Sequence, residues 1–303
     1  MNDSMLRVIC KEAGLRGLVC VTTELALEAA RRHSATPVAA AALSDILTAT
    51  ALLGGLLKVK QRVALKIEAD GPLRKLVAEA DANGQVRGYV AAPDTPWLLP
   101  IDANAVAAAL GRQGLLTVVK DLGLRGLYQG AVSVQDGDVA ASLSHYFEKS
   151  EQTASLVLLG AALNGDGVIL AAGGLLFQPL PGADAGVLQR VAGNLASLAP
   201  LASYLAAGHT PEQLTAQALN GLDYTVLEQQ PLAFGCSCSR ARSRQALKVL
   251  GEDDLLALIV EGEAVVDCHF CHERYVFDRD ELGLILNEIE TETLEAMFES
   301  DEP

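Results

Sequence analysis

Phe234-Gly235-Cys236-Ser237-Cys238, answered further on by Cys268-His269-Phe270-Cys271, is the stretch on which the reading of this chain turns. Between Cys238 and Cys268 lie 29 residues. Two close thiol pairs brought together give zinc the closed tetrahedral sulfur site of a structural centre. The Cys-x-x-Cys half has the common knuckle spacing, and the Cys-x-Cys half is rarer. Cys236, Cys238, Cys268 and Cys271 are therefore read as ligands of one zinc ion, with two unrelated thiol pairs as the alternative. His269 or His272 could stand in for a sulfur, but four sulfurs already fill the coordination shell, and the histidines are read as lying on the surface of the knuckle. Four thiolates on a divalent cation carry a net charge of about −2. Arg240, Arg242 and Arg244 follow the first pair and either offset that charge or line an ordinary solvated helix face.

Zinc has no redox chemistry of its own, but thiolate ligands do, since the thiolate is the form that oxidants attack. Oxidation through a sulfenic acid to a disulfide would remove ligands from the metal. Cys268 has Cys271 within reach, and Cys236 has Cys238. Cys10 and Cys20 stand singly in apolar surroundings and read as small buried hydrophobes.

The residues that precede the cysteines mix strand and helix signals. Leu6–Cys10 and Leu15–Val21 read as strands, and Glu24–Arg32 and the Ala-rich run after Pro37 read as helices. Strand-like runs follow at Val63–Ala69, Gln85–Ala91, Leu115–Leu122, Leu127–Val134 and Leu156–Leu163, with a helix expected over Asp138–Lys149. Strands gathered in runs favour an α+β class over a doubly wound sheet. The expected organisation is an α+β core over 1–180, a helical linker over 181–230 and a small metal-binding domain with an acidic tail over 231–303. In the linker, Thr210-Pro211-Glu212-Gln213 is a capping-box helix start that Asn220-Gly221 brings to an end. In the last domain, helices are expected at Ala241–Leu250 and Asp253–Val260. A hairpin pairs Val265–Cys268 with Tyr275–Phe277, and Leu282, Ile285, Leu286 and Ile289 mark a final helix.

Half of the 303 residues are apolar and only 4% are aromatic, so an ample core must rest on Ala, Val, Leu and Ile. No stretch approaches the roughly 20 apolar residues of a membrane span. Asp3, Arg7, Lys11 and Glu12 interrupt any signal-peptide pattern, so a soluble cytosolic protein is expected. Net charge is −15, and from Pro231 onward 6 basic face 17 acidic residues, a local net of −11. Such a domain repels a phosphate backbone, which argues against a nucleic-acid-binding zinc ribbon. A thiol–disulfide oxidoreductase would place Cys268-x-x-Cys271 after a strand and at the opening of a helix, whereas here the pair falls in a hairpin turn. No phosphate-cradling loop is present either, because Gly123, Gly126 and Gly130 lack the helix start and lysine.

Phe234 to Arg242 and Cys268-His-Phe-Cys271-His-Glu-Arg-Tyr275-Val-Phe277 together resemble the signature of the thirty-three kilodalton heat-shock protein family. Asp70-Gly71-Pro72, Arg87-Gly88-Tyr89, Tyr146-Phe147 with Ser150-Glu151-Gln152, and Ala171 to Gln178 stand in the order that family shows. Ala241 departs from the acidic residue expected between the two arginines. The resemblance implies a redox-regulated holdase chaperone without catalytic residues. In the reduced, inactive form one zinc ion sits on all four cysteines. Oxidation would join Cys236 to Cys238 and Cys268 to Cys271, release zinc, unfold the C-terminal region and expose surface for unfolded client proteins. It further implies a homodimer when oxidised, client release to ATP-dependent foldase chaperones, and no nucleic-acid or membrane partner.

Overall fold

The computed structural model describes residues 2–96 and 101–300 and divides into two compact units, Met1–Gly235 and Cys236–Pro303. In the first unit β1 (Ser4–Cys10) and β2 (Leu15–Val21) form a hairpin, followed by α1 (Thr23–Arg32) and α2 (Pro37–Gly54). Next come β3 (Arg62–Ala69), β4 (Lys75–Asp81), β5 (Gln85–Val90), α3 (Ala103–Leu110), β6 (Gly114–Asp121), β7 (Tyr128–Ser133) and α4 (Val139–Ser150). The unit is completed by β8 (Leu156–Leu163), β9 (Ile169–Pro179), α5 (Val187–Ala196), α6 (Leu201–Ala206), α7 (Pro211–Ala218), β10 (Thr225–Pro231) and β11 (Ala233–Phe234). One sheet has the order β10-β1-β2-β9-β8 and the other β11-β5-β4-β3-β6-β7. Neighbours run antiparallel except β11, which lies parallel to β5. The class is α+β, as expected.

α2 is apolar on every face, and a helix of that kind must be enclosed on every face. It packs on β9 and β8 of one sheet and on β4 and β5 of the other. Small residues (Ala39, Ala42, Ala49) let the strands approach, and Ile46, Leu47 and Leu52 fill the space between, all fully buried. Its hydroxyls are satisfied within the helix, Ser44 donating to the Ala40 carbonyl at 2.7 Å and Thr50 to the Ile46 carbonyl at 2.7 Å. This core helix corrects one expectation from the sequence. It alone among the described residues is long and apolar enough to cross a membrane, and it is almost wholly buried inside the unit.

The expected helical linker, 181–230, departs from the sequence reading at its end. α5, α6 and α7 are helices, and α7 opens on the capping box foreseen for Thr210 and Gln213. Thr225–Pro231, however, is the strand β10, paired antiparallel with β1. The helices do not stand apart. Val187, Val191, Leu195, Leu205 and Leu214 share a buried core with Leu6, Val8, Leu175 and Phe177 of the sheet. An apolar helix stripe gains about 25 cal/mol per Å² by such burial, which short helices lack on their own.

The second unit contains α8 (Arg240–Lys248), α9 (Glu252–Glu261), the hairpin β12 (Glu263–Asp267) and β13 (Arg274–Asp278), and α10 (Arg279–Ser300). Among the described residues, its buried aliphatic and aromatic side chains are few: Leu247, Leu255, Ala264, Phe277, Leu282 and Ile285. Asp278 and Glu281 close a reciprocal cap at the start of α10. The Glu281 amide donates to Asp278 Oδ1 at 2.9 Å, and the Asp278 amide donates to Glu281 Oε2 at 3.2 Å. The backbone stays helical to Ser300, and the end of the expected acidic tail, 301–303, lies outside the described residues.

Candidate metal centre

The β12–β13 turn presents Cys268 and Cys271. Its backbone is closed by the Cys268 amide donating to the Glu273 carbonyl at 3.0 Å and the His272 amide to the Cys268 carbonyl at 2.9 Å. His272 takes a left-handed φ of 57°, which turns the chain back into β13. Across the base of the turn, Arg274 donates twice to Asp267, at 2.8 and 3.0 Å. Cys236 and Cys238 approach from the start of the unit, just ahead of α8. Ser239 caps that helix by accepting from the Arg242 amide at 3.2 Å.

These elements bring all four sulfurs to within 4.8 Å of one another. Cys236 Sγ lies 3.7 Å from Cys268 Sγ, and Cys238 Sγ lies 3.3 Å from Cys271 Sγ, so each close contact joins one motif to the other. Zinc–sulfur bonds of about 2.3 Å in a tetrahedron place sulfurs about 3.8 Å apart. The cluster fits a metal ion of that size. Tyr275 donates from Oη to Cys238 Sγ at 3.3 Å, a contact that the sequence did not single out. His269 and His272 are exposed, in keeping with their expected place on the knuckle surface.

Burial pushes the thiols of Cys271 and Cys238 up, while the Tyr275 hydroxyl pulls Cys238 back. A divalent cation inverts that balance, because thiolate is the ligating form and binding releases protons. The chemistry of the donor set therefore matches a soft or borderline metal.

Two of the three arginines after the first pair, Arg240 and Arg244, belong to carboxylates. Arg240 donates to both Glu281 oxygens at 2.6 Å and to the Val276 carbonyl at 2.8 Å, with its guanidinium 4.4 Å from the Phe277 ring centroid. Arg244 grips Glu288 at 2.6 and 2.7 Å, Lys248 adds a contact at 2.8 Å, and Glu288 is held down at about 2. Arg242 donates to Ser237 Oγ at 2.7 Å. α8 and α10 are thus clasped by ion pairs beginning two residues after Cys238.

Outside the centre, Cys10 and Cys20 are buried as read, and burial raises the Cys20 thiol to about 12. The other motifs that carry the resemblance serve the fold. Asp70 accepts from the Gln113 amide at 3.0 Å, Arg87 pairs with Glu79 at 2.6 Å, and Gln178 bridges Arg16 and Ser155. Tyr146 and Phe147 are fully buried.

The family model described as Hsp33 protein matches residues 3–278, nearly the whole chain. The chain belongs to the Hsp33 family. A 33 kDa chaperonin of Geobacter sulfurreducens is 44% identical over 283 residues, covering 93% of this chain and 94% of its own. A 33 kDa chaperonin of Pelobacter propionicus is 45% identical over 305 residues, covering 100% and 99%. The crystal structure of the 33 kDa chaperonin from Thermotoga maritima matches with a TM-score of 0.84 at 30% identity, over 94% of this chain and 98% of that one. Hsp33 is a chaperone family, not an enzyme family, and a chaperone family implies binding of unfolded client proteins.

Proposed function

We propose that this Hsp33 chain is a redox-switched holdase whose reduced form holds one zinc ion on Cys236, Cys238, Cys268 and Cys271. The supporting observation is a four-sulfur cluster within 4.8 Å in a unit with only six buried aliphatic and aromatic side chains among the described residues. Bound zinc supplies cross-links worth about 10–16 kcal/mol in small domains. Whole domains are stable by only about 5–15 kcal/mol, so loss of the ligands unfolds such a unit.

The oxidation is carried by the cysteines. One sulfur of a pair attacks a peroxide oxygen and becomes a sulfenic acid, while the other peroxide oxygen leaves as water once protonated. The second thiol of the pair then displaces the sulfenic hydroxyl as a second water. Two electrons pass from the pair to peroxide, and a disulfide joins Cys236 to Cys238 or Cys268 to Cys271. Four thiolates consumed in this way leave no ligand set for zinc. Unfolding of the C-terminal region then makes apolar surface available to unfolding clients in the stressed cytoplasm. The active form is a homodimer that hands clients to ATP-dependent foldases after reduction.

The test follows zinc release, free-thiol count and suppression of reporter-enzyme aggregation against peroxide dose at mild heat. The three should move together with one zinc released per chain. Unchanged activity after all four cysteines are replaced by serine would overturn the switch.

A further inference from the structure

Residues 225–235 run along two sheets in succession and then enter the metal-binding unit at Cys236. β10 forms the outer edge of one sheet, in antiparallel register with β1 from Ser4↔Pro231 to Ile9↔Thr225. β11 then forms the outer edge of the other sheet, with Ala233 and Phe234 beside Gln85 and Val86 of β5. Between them Leu232, 6% exposed, is the buried peg, and its amide donates to the Asp3 carbonyl at 3.1 Å. The Ala233 and Gly235 amides reach the Gly84 and Val86 carbonyls at 3.0 and 2.9 Å. One strap thus covers the edges of both β1 and β5.

The strap is weakly seated. Every residue of β10 but Gln230 is exposed, and its register with β1 breaks between Arg7 and Val8. Arg7 Nε is buried without a hydrogen bond and has Glu228 of β10 at 3.6 Å. β1 beneath it is firmly built. Leu6, Val8 and Cys10 face one core and Met5 the other, so β1 side chains are engaged on both faces. What β10 covers is the backbone edge, a row of amide and carbonyl groups that pairs with any extended chain.

We propose that unfolding of the metal unit releases this strap, and that an extended segment of the unfolding client replaces β10 along β1. The proposal rests on the holdase reading above and names its partner: a β-prone stretch of backbone without interior proline, bound by strand addition. β10 itself shows what fits, an antiparallel segment of about seven residues. Recognition through the backbone tolerates many sequences, because main-chain hydrogen bonds give the affinity and side chains only refine it.

Amide hydrogen exchange on the full chain tests this in three states: reduced with zinc, oxidised, and oxidised with a thermally unfolded reporter enzyme. Oxidation should speed exchange across 225–234 and along β1 by at least about tenfold, while β2 stays slow. The reporter should restore protection to β1 and leave 225–234 fast. Aggregation suppressed while 225–234 stays protected, or with β1 unprotected by the reporter, overturns the proposal. Glu228→Pro and Gln229→Pro give a second measurement, since ladder N–H groups of neighbouring strand residues point to opposite edges. One of the two should suppress aggregation while still reduced and zinc-loaded, with β2 still slow. Inactivity of both reduced variants, each with β2 protected, overturns it as well. An oxidised wild type that suppresses nothing counts against the holdase switch, and the reduced proline variants then decide the strand-edge proposal separately.

Discussion

Tyr275 holds a sulfur that would serve a metal only as thiolate, and among the described residues its hydroxyl is the one side-chain donor on Cys238 outside the cluster. Partners of that kind set ligand orientation, and their loss typically weakens metal binding about 10–100-fold. Tyr275→Phe should show that loss in competition with a chromophoric chelator, with the hairpin intact by circular dichroism. The gathering of the four cysteines and the exposure of His269 and His272 were legible from spacing alone. Tyr275 was not, because a tyrosine in a strand looks the same whether it packs or donates. Asp3 was equally hidden. It accepts from the Leu25 and Glu24 amides at 2.7 and 3.1 Å, yet burial outweighs these bonds and raises it from 3.8 to about 6. The folded state therefore favours the protonated acid. Its contribution is full below about pH 4 and is lost as pH rises through about 6, on the order of 3 kcal/mol. Asp3→Asn should flatten the dependence of Tm on pH between 4 and 7, gaining on the wild type toward the upper end.

The element most fully written in the sequence is α7. Thr210 accepts from the Gln213 amide at 3.3 Å and Gln213 Oε1 accepts from the Thr210 amide at 2.9 Å, both halves of the box that four letters foretold. Thr210→Ala should lower the stability of Met1–Gly235 by about 1 kcal/mol in urea titrations. Other elements carried weaker marks. β4 alternates Leu76, Ala78 and Ala80 inward, but alanine and the acids beside it have low strand propensity, so the pattern is faint. β9 is buried on both sides, which erases alternation, and Gly173-Gly174 reads as a break. There a Cβ on Gly173 would meet the Cys20 carbonyl at 2.5 Å, so glycine is required for strand contact. β10 was read as the end of a helical run because its one partner, β1, lies more than 200 positions earlier in the chain. Pairing at that distance leaves no local trace.

The two units differ in what holds them. Met1–Gly235 surrounds α2 with an extensive apolar core, whereas Cys236–Pro303 has a small one beside its four-sulfur cluster. Stripping metal from the reduced protein with a chelator should therefore abolish slow exchange in β12, β13 and α8 while α2, β2 and β3 keep theirs. Calorimetry should show the main melting transition retained. The sequence marked the metal unit by cysteines and acidity. It did not reveal that the helices before it are packed on a sheet, because an amphipathic stripe announces that it will be buried but not against what. The strand order β10-β1-β2-β9-β8 also has a consequence for synthesis. β1 is made more than 200 residues before β10, the strand that closes its outer edge. At about 5–20 residues per second, a ribosome leaves that edge uncovered for roughly ten seconds or more. Every copy of this chaperone thus passes through a stage with an open strand edge of its own, and the cysteine unit is made only after the strand that closes it.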